Sequence, residues 1–224
     1  MTERIELEAG GRKFGGAVAL PAGNAKHGAV IVVHEWHGLN DGIRSITDRL
    51  AVEGFLAIAP DLYFGEVAKD DGRAAELMQA MKTDVSLAIF AACAASGKAH
   101  ARSNGKVAII GFCMGGAMAF AASTRVTGLS AAVPFYGLPM DEYMDASAVG
   151  CPIQAHFARK DDWAKPEKAE AFQKAVAAAG KSMELFVYEA GHAFMRAGDP
   201  ASFDAASAKA AWGRTMTFLH AHLG

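Results

Sequence analysis

Three short stretches carry residue types that together could open an acyl bond: Cys113 in Gly111-Phe-Cys-Met-Gly115, an aspartate in Arg159-Lys-Asp-Asp-Trp163, and His192 in Gly191-His-Ala-Phe194. A thiol attacks a carbonyl as its thiolate, so it needs a base to take its proton, and the base needs an acid to orient it. Glycines two residues either side of Cys113 match the G-x-S-x-G nucleophile elbow, with cysteine in the serine position. That elbow is a sharp strand-to-helix turn in which flanking Cβ atoms would collide. The helix after it aims free N–H groups and a positive dipole end at the sulfur, which favours the thiolate. The competing explanation is a buried cysteine at an ordinary strand-helix junction, since free cysteine is among the most buried residue types.

Elements of the right kind lie where these residues need them. Residues 106–110 form an apolar run ahead of the elbow, and a small-residue helical pattern covers 114 to about 124. Further runs at 28–33, 55–59, 129–135, 152–157 and 183–188 predict strands, and helices are expected near 41–53, 73–80, 83–100, 167–179 and 200–221. Residues 3–8 and 13–20, linked through Gly10-Gly11, read as an edge hairpin. Strand and helix alternate, which implies a mostly parallel sheet of about eight strands, with helices on both faces and an N-terminal antiparallel edge. The aspartate pair and His192 each follow a strand, in the order nucleophile, acid, base, so all three fall at the carboxyl edge where such sheets place their sites. Between Asp161 and Asp162 the spacing does not choose.

Composition narrows the function classes. The 224 residues suit one domain, 1–224. A content of 52% hydrophobic and 21% charged residues with net charge −2 predicts a compact globule and no nucleic-acid partner. No apolar N-terminal h-region and no long apolar span appear, so a cytoplasmic location and no membrane partner are expected. Cys93, Cys113 and Cys151 form no CxxC or zinc-like spacing, and His34-Glu-Trp-His37 fails the H-E-x-x-H test, so no metal or other cofactor is expected. Nor does the chain carry the Lys-Ser/Thr of a phosphate loop after Gly111–Gly116.

A wider set of motifs accompanies the triad: His34-Glu35-Trp36 with Gly38, Ala59-Pro-Asp-Leu-Tyr63, Gly111-Phe-Cys-Met-Gly-Gly116, Phe135-Tyr-Gly137, Asp162 four residues before Pro166, and Gly191-His-Ala-Phe-Met-Arg196. Over nearly its full length the chain resembles the dienelactone hydrolase family (carboxymethylenebutenolidases) of α/β-hydrolases. The resemblance implies that fold and a cysteine hydrolase that opens a small, carboxylate-bearing enol-lactone to maleylacetate through an acyl-enzyme thioester. It assigns the acid to Asp162 and gives Glu35 the task of helping to take the thiol proton. It puts oxyanion donors at the Trp36 and Met114 backbone N–H groups. Arg196 would hold the substrate carboxylate in its planar fork. Arg73 stands where a second such arginine is expected, and Tyr63, Tyr136 and Trp36 are candidates to line the pocket. The partner implied is a small anionic lactone or ester as substrate, and the chain is expected to be a monomer. Two alternatives are a family relative that cleaves another small ester, lactone or thioester, and a catalytically inactive ligand-binding protein of the same fold.

Overall fold

The structure is a computed structural model and describes residues 2–224. Eight strands form one sheet in the order β1-β2-β4-β3-β5-β6-β7-β8. β1 (Glu3–Ala9) and β2 (Arg12–Ala19) make the antiparallel edge hairpin, turned at Gly10-Gly11, both at positive φ. β3 (His27–Val33), β4 (Leu56–Pro60), β5 (Ser103–Phe112), β6 (Ala131–Phe135), β7 (Ile153–Lys160) and β8 (Met183–Gly191) run parallel, so their carboxyl ends share one edge.

Alternation along the central strands divides the core in two. Ala29, Ile31 and Val33 of β3 pack on the face covered by α3 (Thr83–Ala99), α4 (Met114–Arg125) and α5 (Pro166–Ala178). Val30 and Val32 pack on the opposite face, under α1 (Asp41–Val52) and α6 (Ala205–Leu223). Both faces are therefore dry, and β3 and β5 read as unbroken apolar runs because each successive side chain meets a helix layer. Each fully buried Val, Ile or Leu side chain contributes about 1.5–3 kcal/mol. The carboxyl edge of the sheet thus stands directly on the buried core.

Several boundaries differ from the sequence expectation, among them the start of β5 at Ser103 and the end of β8 at Gly191. β7 extends to Lys160, three residues past 157, which brings Asp161 to the strand end. α2 (Asp71–Ala80) starts two residues early because Asp70 caps it, accepting the Arg73 N–H at 2.8 Å. α6 starts at Ala205 rather than near 200, because Asp204 accepts the Ser207 N–H at 2.7 Å, while Asp199 ties up the preceding turn through Ala201 and Ser202. Among the described residues, no single helix is long and apolar enough to cross a membrane.

Candidate active site

Cys113 occupies the junction of β5 and α4 with φ 53° and ψ −118°, a conformation side chains rarely adopt. The junction is held from both sides: the Cys113 N–H donates to the Phe135 carbonyl at 3.1 Å, and the Cys113 carbonyl accepts the Ala117 N–H at 3.0 Å. Its glycines are steric necessities. A Cβ on Gly115 would lie 2.5 Å from the Val33 carbonyl oxygen, one on Gly111 would strike the Gly115 carbonyl, and one on Gly116 the Phe135 carbonyl. The sulfur stands at the N-terminus of α4, where the first N–H groups have no acceptor within the helix.

From β8 the chain delivers His192, whose Nε2 lies 3.1 Å from Cys113 Sγ and whose Nδ1 lies 2.8 Å from Asp161 Oδ2. The carboxylate brought to His192 is therefore Asp161, and the expectation that Asp162 would stand there is corrected. Both aspartates lie in the turn that follows β7; Asp161 is folded inward, its side chain fully covered, whereas Asp162 is exposed. Asp161 Oδ1 accepts the N–H groups of Trp163 at 2.8 Å and Ala164 at 3.0 Å, which leaves Oδ2 aimed at the imidazole. Burial alone would raise its pKa, but the hydrogen bond from His192 and those two N–H groups hold it below the usual carboxylate range. For His192 burial opposes the charge, yet the hydrogen bonds with Asp161 and Cys113 win and raise its pKa to about 10. The imidazole thus bridges the sulfur and the buried carboxylate.

The loop after β3 is fixed from below. His34, fully buried, accepts the Leu62 N–H at Nε2 (3.2 Å), so its proton is on Nδ1 and is donated to the Glu35 carbonyl (2.6 Å). Desolvation lowers its pKa and keeps the ring neutral. With both nitrogens used in this way, the His34-Glu-Trp-His37 stretch presents no ligand set. Tyr63, expected in the pocket, is instead buried beneath the site: its hydroxyl donates to the Trp36 carbonyl at 3.0 Å and lies 3.3 Å from the Met114 sulfur. It bridges the two segments that carry the Trp36 and Met114 N–H groups. Its inward placement follows from Asp61, which accepts the Tyr63 N–H at 2.9 Å and folds the chain back on itself.

Glu35 and Arg196 are brought together, with Arg196 Nε donating to Glu35 Oε2 at 2.8 Å. Glu35 Oε1 is buried without a hydrogen-bond partner. The Arg196 guanidinium also approaches Asp199 at 3.6 Å, and Arg196 does not line the cleft beside Cys113. Arg73 is far from the role expected of it: it is exposed, bonded to Glu66 and Glu76 at 2.5–2.9 Å, on the opposite end of α2 from Met78 and Met81, which do reach the cleft. Tyr136 does line the cleft, with its ring 5.2 Å from that of His192. Burial first, then the charges of Glu35 and Cys113, raises its phenol pKa well above the ordinary value, so it stays neutral. Trp36 is half-buried and stacks edge-on against His37 rather than lining the cleft.

The cleft is 280 Å³ in volume and opens over Cys113 and His192. Sequence reasoning missed most of its walls: Met78, Met81, Met118, Met140, Tyr143 and Trp163. Their only advance signal is that the chain holds 10 methionines, a count that gives no positions. A larger surface hollow of 520 Å³ between the N-terminal hairpin and the loop after β4 contains neither Cys113 nor His192.

Comparison with known proteins matches residues 14–223 to the dienelactone hydrolase family. The chain is 34% identical over 232 residues to Protein usf of Aquifex pyrophilus, covering all of both chains. It is 29% identical to the carboxymethylenebutenolidase of Pseudomonas sp. (strain P51), covering 98% of this chain and 95% of that one. Among solved structures, a dienelactone hydrolase-like promiscuous phosphotriesterase from metagenomic libraries superposes with a TM-score of 0.87 at 22% identity, over 100% of this chain and 99% of that one. An esterase from Thermogutta terrifontis superposes with a TM-score of 0.72 at 17% identity, over 97% and 91%. The last two likenesses are of fold.

Proposed function

The chain belongs to the dienelactone hydrolase family and is a carboxylic ester hydrolase, and on that premise we propose that it cleaves small esters or lactones with Cys113 as nucleophile. The observation that carries this reading is the line of contacts from Cys113 Sγ through His192 to the buried Asp161. In the first half-reaction the sulfur bonds to the carbonyl carbon and the thiol proton passes to His192 Nε2. The carbonyl oxygen takes up negative charge toward the Trp36 and Met114 N–H groups, which Tyr63 holds in register. The carbon–oxygen bond to the leaving group then breaks; an alkoxide takes the proton from His192, while an enolate or phenolate leaves as the anion and His192 gives up its proton to solvent. In the second half-reaction the neutral His192 takes a proton from water as its oxygen attacks the thioester carbon, and the carbon–sulfur bond breaks with the departing sulfur taking that proton back from His192. Asp161 keeps the imidazole in one tautomer throughout.

A second reading takes its support from Glu35 and Arg196. A substrate carboxylate, as on the enol-lactone that yields maleylacetate, would compete for Arg196 and release Glu35, whose Oε1 has no partner, toward the thiol. Both readings share the thioester. Denaturing the protein during turnover of a phenyl ester and weighing it tests them: the expected mass increase is one acyl group, on the Cys113 peptide. Cys113→Ala should show no adduct and a fall in kcat of roughly 10⁴-fold or more. Full activity in that variant contradicts the nucleophile assignment.

A further inference from the structure

At the turn between α2 and α3 lies a further hollow of 220 Å³, lined chiefly by Leu62, Phe64, Leu77, Ala80, Met81 and Val85. It adjoins the cleft over Cys113 at two points. Met81 lines both spaces, and Tyr63, which borders the hollow, has its hydroxyl 3.3 Å from the sulfur of Met114, which borders the cleft. Of the nine large apolar side chains that stand exposed among the described residues, five border one space or the other: Phe64 and Val85 the hollow, Met78, Met140 and Trp163 the cleft. Exposed apolar surface gathered in one place marks a surface that something apolar covers. Phe64 is held there against the preference of its own backbone. Its φ of 56° is costly for a bulky residue, and Asp61 maintains it by accepting the Tyr63 N–H at 2.9 Å and the Gly65 N–H at 2.5 Å on either side.

We infer that cleft and hollow form one substrate groove, with Met81 as the movable partition, and that the hollow receives the far end of an unbranched aliphatic chain carried by the ester. The inference rests on Cys113 being the nucleophile and adds a class of ester that it meets. Met81 caps the end of α2 with an extended ψ of 136°, and α3 begins two residues later at an angle of 84°. The backbone of this turn is fixed. The Met81 N–H donates to the Leu77 carbonyl at 3.1 Å, and Ser86 donates its N–H and its hydroxyl to the Lys82 carbonyl at 3.1 Å and 3.3 Å. What divides the two spaces here is therefore one half-buried thioether side chain with three rotatable bonds, which can swing while its backbone stays in place. A saturated chain laid across it gains with every methylene that leaves water. Arg12 and Lys82 also border the hollow, both exposed; their stems offer further methylenes, and the Arg12 guanidinium lies over the Phe64 ring, 3.4 Å from its centroid.

The test uses two ester series, 4-nitrophenyl acetate to octanoate for a chain on the acyl side and ethyl to octyl acetate for one on the alcohol side, each kept below the concentration at which it aggregates. In at least one series kcat/KM should rise roughly twofold or more per added methylene between four and eight carbons, and the series that rises assigns the side. Two variants then ask whether the hollow is responsible, since neither residue lines the cleft. Ala80→Trp fills the hollow, and Val85→Asp puts a charge on its wall in the first turn of α3, where an acid suits the helix dipole. Each should lower the ratio of kcat/KM for the eight-carbon over the two-carbon member by roughly tenfold. The ratio is taken within one variant, so a loss of folded protein cancels. Flat profiles in both series, or an undiminished ratio in both variants, overturn the inference. Cys113→Ala separates the two levels: activity surviving there refutes the nucleophile, whereas the chain-length profile is read in the protein with its thiol intact.

Discussion

The turn that follows β7 gives two neighbouring aspartates opposite fates. Asp161 is covered, accepts two backbone N–H groups on one oxygen and faces His192 with the other, while Asp162 is exposed to water. Asparagine at 161 would keep the shape but present an amide to Nδ1, which favours the imidazole tautomer whose proton sits on the sulfur side. Asp161→Asn should therefore lower kcat by roughly 10²–10⁴-fold, with Asp162→Asn within about twofold of the parent, both measured on a phenyl ester. The reverse order would return the acid to Asp162. The family resemblance pointed to the neighbouring aspartate because a motif registers distance along the chain, whereas the choice is made by which carboxylate the turn after β7 folds inward onto its own N–H groups. The sulfur and the imidazole were legible because each follows a strand, Cys113 between Gly111 and Gly115 and His192 directly after Gly191; the carboxylate was legible only to within one residue.

The same contrast holds for strands and helices. Unbroken apolar runs located the central parallel strands β3, β4 and β6, since a strand covered on both faces has no polar position to blur it, whereas β7 and β8 carry polar residues within their runs. Helix starts were less legible where a capping aspartate competed with an earlier candidate, as at Asp204, and Arg73 was misplaced because composition does not say which end of α2 meets the cleft. At the elbow, by contrast, sequence and geometry coincide, because α4 can approach β5 and β6 only if its first residues lack side chains. A Cβ on Gly116 would enter the Phe135 carbonyl, which is also the acceptor of the Cys113 N–H. Gly116→Ala is expected to cost about 1–3 kcal/mol by displacing packed backbone. For a chain of this size that lowers Tm by roughly 3–10 °C. It should also reduce kcat on a phenyl ester, since Cys113 is held through the same carbonyl. An unchanged Tm with unchanged kcat would show that the junction has slack that these contacts exclude.

A molecule whose two dry faces hide polar groups also carries a pH limit. His156 of β7 is fully buried, stacked on Phe135 at 4.4 Å and Phe186 at 5.7 Å between centroids. Its Nδ1 pairs with the Tyr188 hydroxyl at 2.9 Å, and its Nε2 with Gln154 Oε1 at 3.2 Å and Thr215 Oγ1 at 3.1 Å. Burial, helped by the charge of Arg214, pushes its pKa down to about 3, against an ordinary value of 6.5. Below pH 6.5 the unfolded chain therefore takes up a proton at this ring that the folded protein refuses, so stability present above pH 6.5 is lost as the pH falls toward 3. His34, also buried and lowered by desolvation, acts in the same direction on the other side of the catalytic edge. Each such ring contributes up to about 1.4 kcal/mol per pH unit to the acid slope. Urea unfolding between pH 7 and pH 4.5 should thus show stability falling with acid, and His156→Gln, which keeps an amide for Tyr188 and Thr215, should make that slope shallower by roughly the share of one ring. Its stability at pH 7 is a separate quantity, so a weaker fold does not mask the result. An acid slope identical to the parent's would mean that His156 takes its proton in the folded state, and that the ring stacked under Phe135 admits charge or water.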